Sequence, residues 1–137
     1  MGKAHSNAWG QAPKFFKLGL KPVMKVACDP DNNCAHDFAD NWGWQECETD
    51  WRKVVERQDI DVIDIVTPTF LHHEIAVAAA KNGKHIFCEK PIGLTYAAAK
   101  EMYEAAEKAG VLHYLNHNYR RTAAISFAKQ LIEEGKI

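Results

Sequence analysis

The sequence predicts an α/β fold, a doubly wound parallel sheet with helices on its faces. Three observations carry this. Short apolar runs alternate with amphipathic or alanine-rich helical stretches, the pattern of parallel strands joined by crossover helices. The apolar runs lack strict alternation, as expected of strands covered on both faces. Two of them, Asp61-Val62-Ile63-Asp64-Ile65-Val66 and His85-Ile86-Phe87-Cys88, end in polar residues and a proline, Thr67-Pro68 and Glu89-Lys90-Pro91. In open sheets of this kind, ligands bind beyond the carboxyl ends of the strands.

The elements follow in order. Residues 2–20 read as helical, with Pro13 marking a break and Phe15, Phe16, Leu18 and Leu20 supplying apolar contacts. Pro22 opens a strand from Val23 to Cys28. Asp29-Pro30-Asp31 is a turn able to cap a helix over 31–41, which Trp42-Gly43-Trp44 ends. Glu48-Thr49-Asp50 caps a short helix, Trp51 to Arg57, before the strand over 61–66. A helix over 70–82 places Leu71, Ile75, Ala78 and Ala79 on one face, with Gly83 as its stop. The strand over 84–88 comes next, then a helix from the Thr95 cap to Ala109, with Ala98, Met102, Ala105 and Ala109 at helical spacing. A strand from Val111 to Leu115 leads to a last helix over 122–134, with Ile125, Ala128, Leu131 and Ile132 inward.

A doubly wound nucleotide fold begins with a strand, then a glycine-rich turn, then a helix. Here the helix stands first, with Gly2 in its first turn, and the strand before it is missing. The expected sheet therefore lacks its first strand. That leaves two strand edges unpaired and much of the core uncovered, so the isolated residues are expected to be poorly stable.

Composition narrows the function. The 137 residues carry 17 basic and 18 acidic side chains, a balance with no basic field for nucleic acid and no patch for a membrane surface. No apolar run approaches the roughly 18 residues of a membrane span. Cys28, Cys34, Cys47 and Cys88 form no CxxC pair; they fit a reducing, cytoplasmic setting, and Cys28 and Cys88 read as small core residues. His113 and His117 have the i,i+4 spacing of helical metal ligands, but their segment reads as strand then loop, so no metal site is expected.

Glu89-Lys90-Pro91 after an apolar strand, and Thr67-Pro68 with His72 after the preceding one, resemble the glucose–fructose oxidoreductase / inositol 2-dehydrogenase (Gfo/Idh/MocA) family. Met1-Gly2-Lys3-Ala4-His5-Ser6, Thr49-Asp50-Trp51 and Asn118-Tyr119-Arg120-Arg121 agree, in the same order. The resemblance implies an N-terminal Rossmann-type domain and a C-terminal α/β domain with a large open sheet. It also implies hydride transfer between NAD(P) and a sugar, inositol or related polyol or ketone. Residues 1–137 are then a partial NAD(P)-binding domain, with Met1-Gly2 as the last two positions of the GxGxxG turn. The absent second domain would carry the Asp/His pair that handles the alcohol proton, and the sheet through which such enzymes oligomerise.

The resemblance also assigns candidate roles. Gly2 and the amides after it form a helix N-terminus suited to pyrophosphate. Asp29, at a strand end, suits the ribose hydroxyls of NAD and would repel the 2′-phosphate of NADP; helix capping is its competing role. Thr67, Pro68 and His72 line the adenosine and nicotinamide side of the cleft, although His72 is also readable as a helix-start histidine. Lys90 is the catalytic candidate, an ammonium beside the oxygen of the carbon that yields hydride. Glu89 orients Lys90 or contacts the nicotinamide ribose. Asn118 and Arg120 lie near the nicotinamide, with Tyr119 and Arg121 as packing or surface residues. Competing readings are a non-catalytic dinucleotide-binding or sensor module on the same fold and, against the grain of Glu89-Lys90-Pro91, a methyltransferase.

Overall fold

The computed structural model describes all 137 residues, in alternating helices and parallel strands. Helix α1 (Gly2–Phe15) precedes β1 (Val26–Cys28), α2 (Asn32–Trp42), β2 (Glu46–Glu48) and α3 (Trp51–Glu56). Then come β3 (Val62–Ile65), α4 (Thr69–Lys81), β4 (His85–Glu89), α5 (Tyr96–Ala109), β5 (His113–Asn116), a 3-10 turn (Asn118–Arg121) and α6 (Ala123–Glu133). No helix is long and apolar enough to cross a membrane.

The strands form two parallel sheets. One pairs β1 with β2, Val26 opposite Glu46. The other runs β3-β4-β5, with Val62 opposite His85 and Ile86 opposite His113. β1 and β3 each keep one edge without a strand partner, so the sheet is split at the place where the sequence predicts a missing strand. Helix α1 bridges the split. Its buried Ser6 accepts a hydrogen bond from Trp44 Nε1 at 3.0 Å, and its His5 and Trp9 reach Asp64 on β3.

The main core lies on the other face of the three-stranded sheet. Ile63, Ile65, Ile86 and Cys88 point into it against Ile75, Ala76, Ala79 and Ala80 of α4 and Met102 and Ala106 of α5. The alanine stripe lets α4 sit close to the strands and to α5. Strand burial alternates in β3 and β4, contrary to the expected double coverage. The reason is that α1 covers the second face only in part, leaving Val62 43% and Tyr114 44% exposed.

Other expectations shift. Helix α1 runs through Pro13 and stops at Phe15, where the Phe16 C-cap turns to extended backbone; Phe15, Phe16, Leu18 and Leu20 all stay exposed. Strand β1 is three residues long, with Val23 outside it, and Cys28 is exposed rather than core. Cys88 is buried, and burial pushes its thiol up to about 12. β2 escapes the sequence reading because Glu46-Cys47-Glu48 has no strand propensity and is held by pairing with β1. α6 buries none of its residues; Ile125 and Ile132 are 53% and 60% exposed, since α6 packs little beyond the 3-10 turn before it.

The accessible surface is 9527 Å², against about 7,200 Å² expected for a compact monomer of this mass. The excess is the open edges and apolar faces just described. The isolated 137 residues are accordingly expected to melt without a sharp cooperative transition in a thermal scan. A cooperative transition whose midpoint NAD raises would contradict this.

Candidate functional site

The carboxyl ends of β3, β4 and β5 meet the first turns of α1 in a buried polar cluster. Asp64, Glu89 and Asn116 each come from one strand, and Glu89 and Asn116 are register partners. His5 of α1, 7% exposed, lies between them. Its Nδ1 is 3.0 and 3.1 Å from the two Asp64 oxygens, and its Nε2 is 3.0 Å from Glu89 Oε1. Trp9 Nε1 donates to Asp64 at 2.7 Å. Asn116 Nδ2 donates to Glu89 Oε1 at 2.7 Å and lies 3.2 Å from His5 Nε2. The remaining Glu89 oxygen accepts the Lys90 backbone N–H at 3.0 Å.

A ring flanked by two carboxylates favours the imidazolium, which donates from both nitrogens. The hydrogen bond to Asp64 raises the His5 pKa most; burial opposes it, and the Asp64 charge and Glu89 add to the rise. For Glu89, burial is the largest influence and pushes upward, but the hydrogen bonds from His5, Asn116 and Lys90 together hold it below the usual carboxylate range. A raised histidine stabilises the fold fully below its unfolded value of about 6.5, and that contribution fades as pH rises through the folded pKa. A lowered carboxyl stabilises fully above about 4.5, and that contribution fades as pH falls through its folded value. Both are therefore complete between about pH 4.5 and 6.5. In the whole enzyme, the gap in Tm between wild type and His5→Gln is expected to be widest in that window and to shrink above it. Melts across pH that give a constant gap would refute the assignment.

The Lys90–Pro91 peptide, just beyond β4, is cis. Behind it stands His72, 1% exposed, with Nδ1 2.9 Å from the Pro91 carbonyl and Nε2 3.0 Å from the Thr67 carbonyl. This corrects the expectation for His72. Its ring is occupied on both nitrogens by the protein, so it braces the two strand-end loops against each other instead of lining a cleft. Glu89 too has both oxygens engaged within the protein, by His5 and Asn116 on one and the Lys90 N–H on the other.

Other sequence-predicted residues stand nearer solvent. Lys90 makes no ion pair, and it lines an open cleft of about 530 Å³ with Met1, His117, Asn118, Tyr119 and Arg120. Arg121 does not line it. The cleft thus joins the N-terminal cap of α1 to the end of β4. Gly2 opens α1, where the first amides have no intrahelical acceptor and Met1 provides no side-chain cap. A Cβ on Gly2 would lie 3.3 Å from the Phe38 ring, so glycine also permits close packing of α1 on α2. Asp29 follows β1 and accepts the Asp31 N–H at 2.9 Å, while Asp31 caps α2 through the Cys34 N–H. One Asp29 oxygen keeps no partner within the protein. Pro68 forms the N-cap of α4. Thr67 Oγ1 is buried with no hydrogen-bond partner, a situation that calls for a ligand or water.

The sequence reading missed His5, Trp9, Asp64, Asn116 and the cleft position of His117. The available signal was His5 and Trp9 at i,i+4 on one helix face, together with Asp64 as a lone acid inside an apolar strand.

Residues 1–117 match the model of the Gfo/Idh/MocA oxidoreductase family, NAD-binding Rossmann fold. The chain belongs to this family. It is 45% identical over its whole length to levoglucosan dehydrogenase of Pseudarthrobacter phenanthrenivorans, of which it covers 35%. It is 35% identical, over 85% of its length, to scyllo-inositol 2-dehydrogenase (NAD(+)) of Bacillus subtilis, covering 34% of that protein. Among solved structures, levoglucosan dehydrogenase in complex with NADH and levoglucosan superimposes with a TM-score of 0.94 at 45% identity, over 98% of this chain and 37% of that one. The chain thus spans about a third of the length of these relatives. As a member of the family it is an NAD-binding oxidoreductase domain, in line with the resemblance its motifs carry.

Proposed function

We propose that these 137 residues are the NAD-binding part of a longer dehydrogenase that moves hydride between NAD and a sugar, inositol or related polyol or ketone. The observation that carries this reading is the cleft, which brings the α1 N-terminus and the unpaired Lys90 ammonium to one opening. The protein's own groups suit the dinucleotide. The free amides after Met1 and Gly2 receive pyrophosphate. The spare Asp29 oxygen accepts from a ribose hydroxyl, and Thr67 Oγ1 supplies a donor the protein leaves unused. Pro68 shapes the loop beside it. Asn118 and Arg120 face the nicotinamide end with Lys90.

Held there, NAD would supply the hydride acceptor, or as NADH the donor, for the chemistry at the substrate carbon. Lys90 places positive charge beside the substrate oxygen, favouring the developing negative charge and easing loss of its proton to a base. That base belongs to the rest of the enzyme, in the reading that the relatives' greater length supports.

The direct test supplies the whole enzyme with NAD and a panel of levoglucosan, inositols and simple sugars, following NADH. Turnover of at least one is expected; NADH binding with no turnover of any would favour a sensor module. Asp29 sets the choice of dinucleotide. Asp29→Ser is expected to lower the NAD-to-NADP ratio of kcat/KM by about 10- to 100-fold, the worth of a hydrogen bond to a charged group. Steady-state kinetics with both cofactors read it, and an unchanged ratio would remove Asp29 from cofactor choice.

A further inference from the structure

We infer that His5 is the positioning residue for Lys90: by bridging Asp64 on β3 and Glu89 on β4, it ties the first turns of α1 to the strand end that carries Lys90. The inference rests on Lys90 acting as proposed above, and adds a residue to that same site. Three features lead to it. His5 is buried beyond what a helix-surface histidine needs, with both nitrogens committed at 3.0 Å. Glu89, which receives one of those bonds, spends its second oxygen on the Lys90 N–H and nothing else. Asn116 supports Glu89 from β5, so one acid is held by one group from α1 and one from β5.

The geometry gives the chain of contacts a direction. His5 lies one turn into the helix whose N-cap, Met1, lines the cleft, and Lys90 is one residue beyond Glu89. A shift of α1 on loading its N-terminus is transmitted through the His5–Glu89 bond to the Lys90 backbone. The charged groups that face His5 are Asp64 from β3 and Glu89 from β4, while β5 contributes the neutral Asn116. The two bonds have different tasks in this arrangement. The Asp64 bond seats the helix on the sheet, together with Trp9. The Glu89 bond sets the position of Lys90.

Amide variants separate these tasks in the whole enzyme. The Gln amide reaches the place of Nε2 and keeps a donor for Glu89; the Asn amide reaches the place of Nδ1 and keeps one for Asp64. His5→Ala and His5→Asn are expected to lower kcat by about 10- to 100-fold with a much smaller change in the KM for NAD. His5→Gln is expected to restore most of kcat while its Tm falls below that of His5→Asn, which keeps the Asp64 bond. Glu89→Gln provides a second route should the alanine variant fail to fold, and it is expected to match His5→Asn in kcat. Wild-type kcat in all His5 variants overturns the inference. So does an equal loss of kcat and Tm in all three, the pattern of a merely structural residue. If Lys90→Ala itself leaves kcat unchanged, the reading of Lys90 fails, whatever the His5 variants do.

Discussion

Lys90→Ala in the whole enzyme is expected to lower kcat by about 10²- to 10⁴-fold, the range for loss of a group acting on proton and charge in the transition state. The Kd for NAD is expected to stay within a few-fold, because the proposed pyrophosphate and ribose contacts lie on α1 and Asp29, away from the Lys90 side chain. Tm is expected to stay unchanged. Lys90 makes no ion pair, its side chain is exposed on the cleft, and its only structural bond is the backbone N–H to Glu89, which alanine keeps. Single-turnover kinetics with NAD binding measured separately provide the check. An unchanged kcat excludes Lys90 from the chemistry.

His72→Ala is expected to lower Tm and kcat together. The ring is 1% exposed and bonds two carbonyls, those of Thr67 and Pro91. Its loss leaves a cavity and takes the ring's N–H donor away from buried carbonyls in a dry place, at a cost of about 2–5 kcal/mol. Tm falls by several degrees. The brace holds the Pro91 loop, so kcat falls with it, while the Asp29 end of the dinucleotide site is untouched. A thermal scan paired with kcat tests this, and a variant with native Tm would show that the brace does not hold the loop. Together the two variants separate a group that acts on substrate from one that holds the machinery in place.

Much of this was legible in the chain. Apolar runs and capped helices locate nearly every element, because spacing and cap chemistry are local. Asp50 and Thr95 cap the helices the sequence assigns to them. The motif Glu89-Lys90-Pro91 was visible for the same reason. Less legible was what depends on neighbours distant in sequence. β2 forms only against β1. The apolar stripe of α6 looks like a core face, and stays exposed because α6 packs little beyond the 3-10 turn before it.

The sequence alone settled the fold class, the family and the strand-end position of Lys90, since these rest on local pattern and on residues a few positions apart. Only the three-dimensional arrangement could separate the roles of the polar residues around it. His5 and Glu89 are 84 residues apart, and His72 and Pro91 are 19 apart. Nothing in local spacing tells a histidine that lines a cleft from one whose nitrogens are both spent on buried carbonyls. Burial and the direction of each donor make that difference, and they exist only once the strands lie side by side.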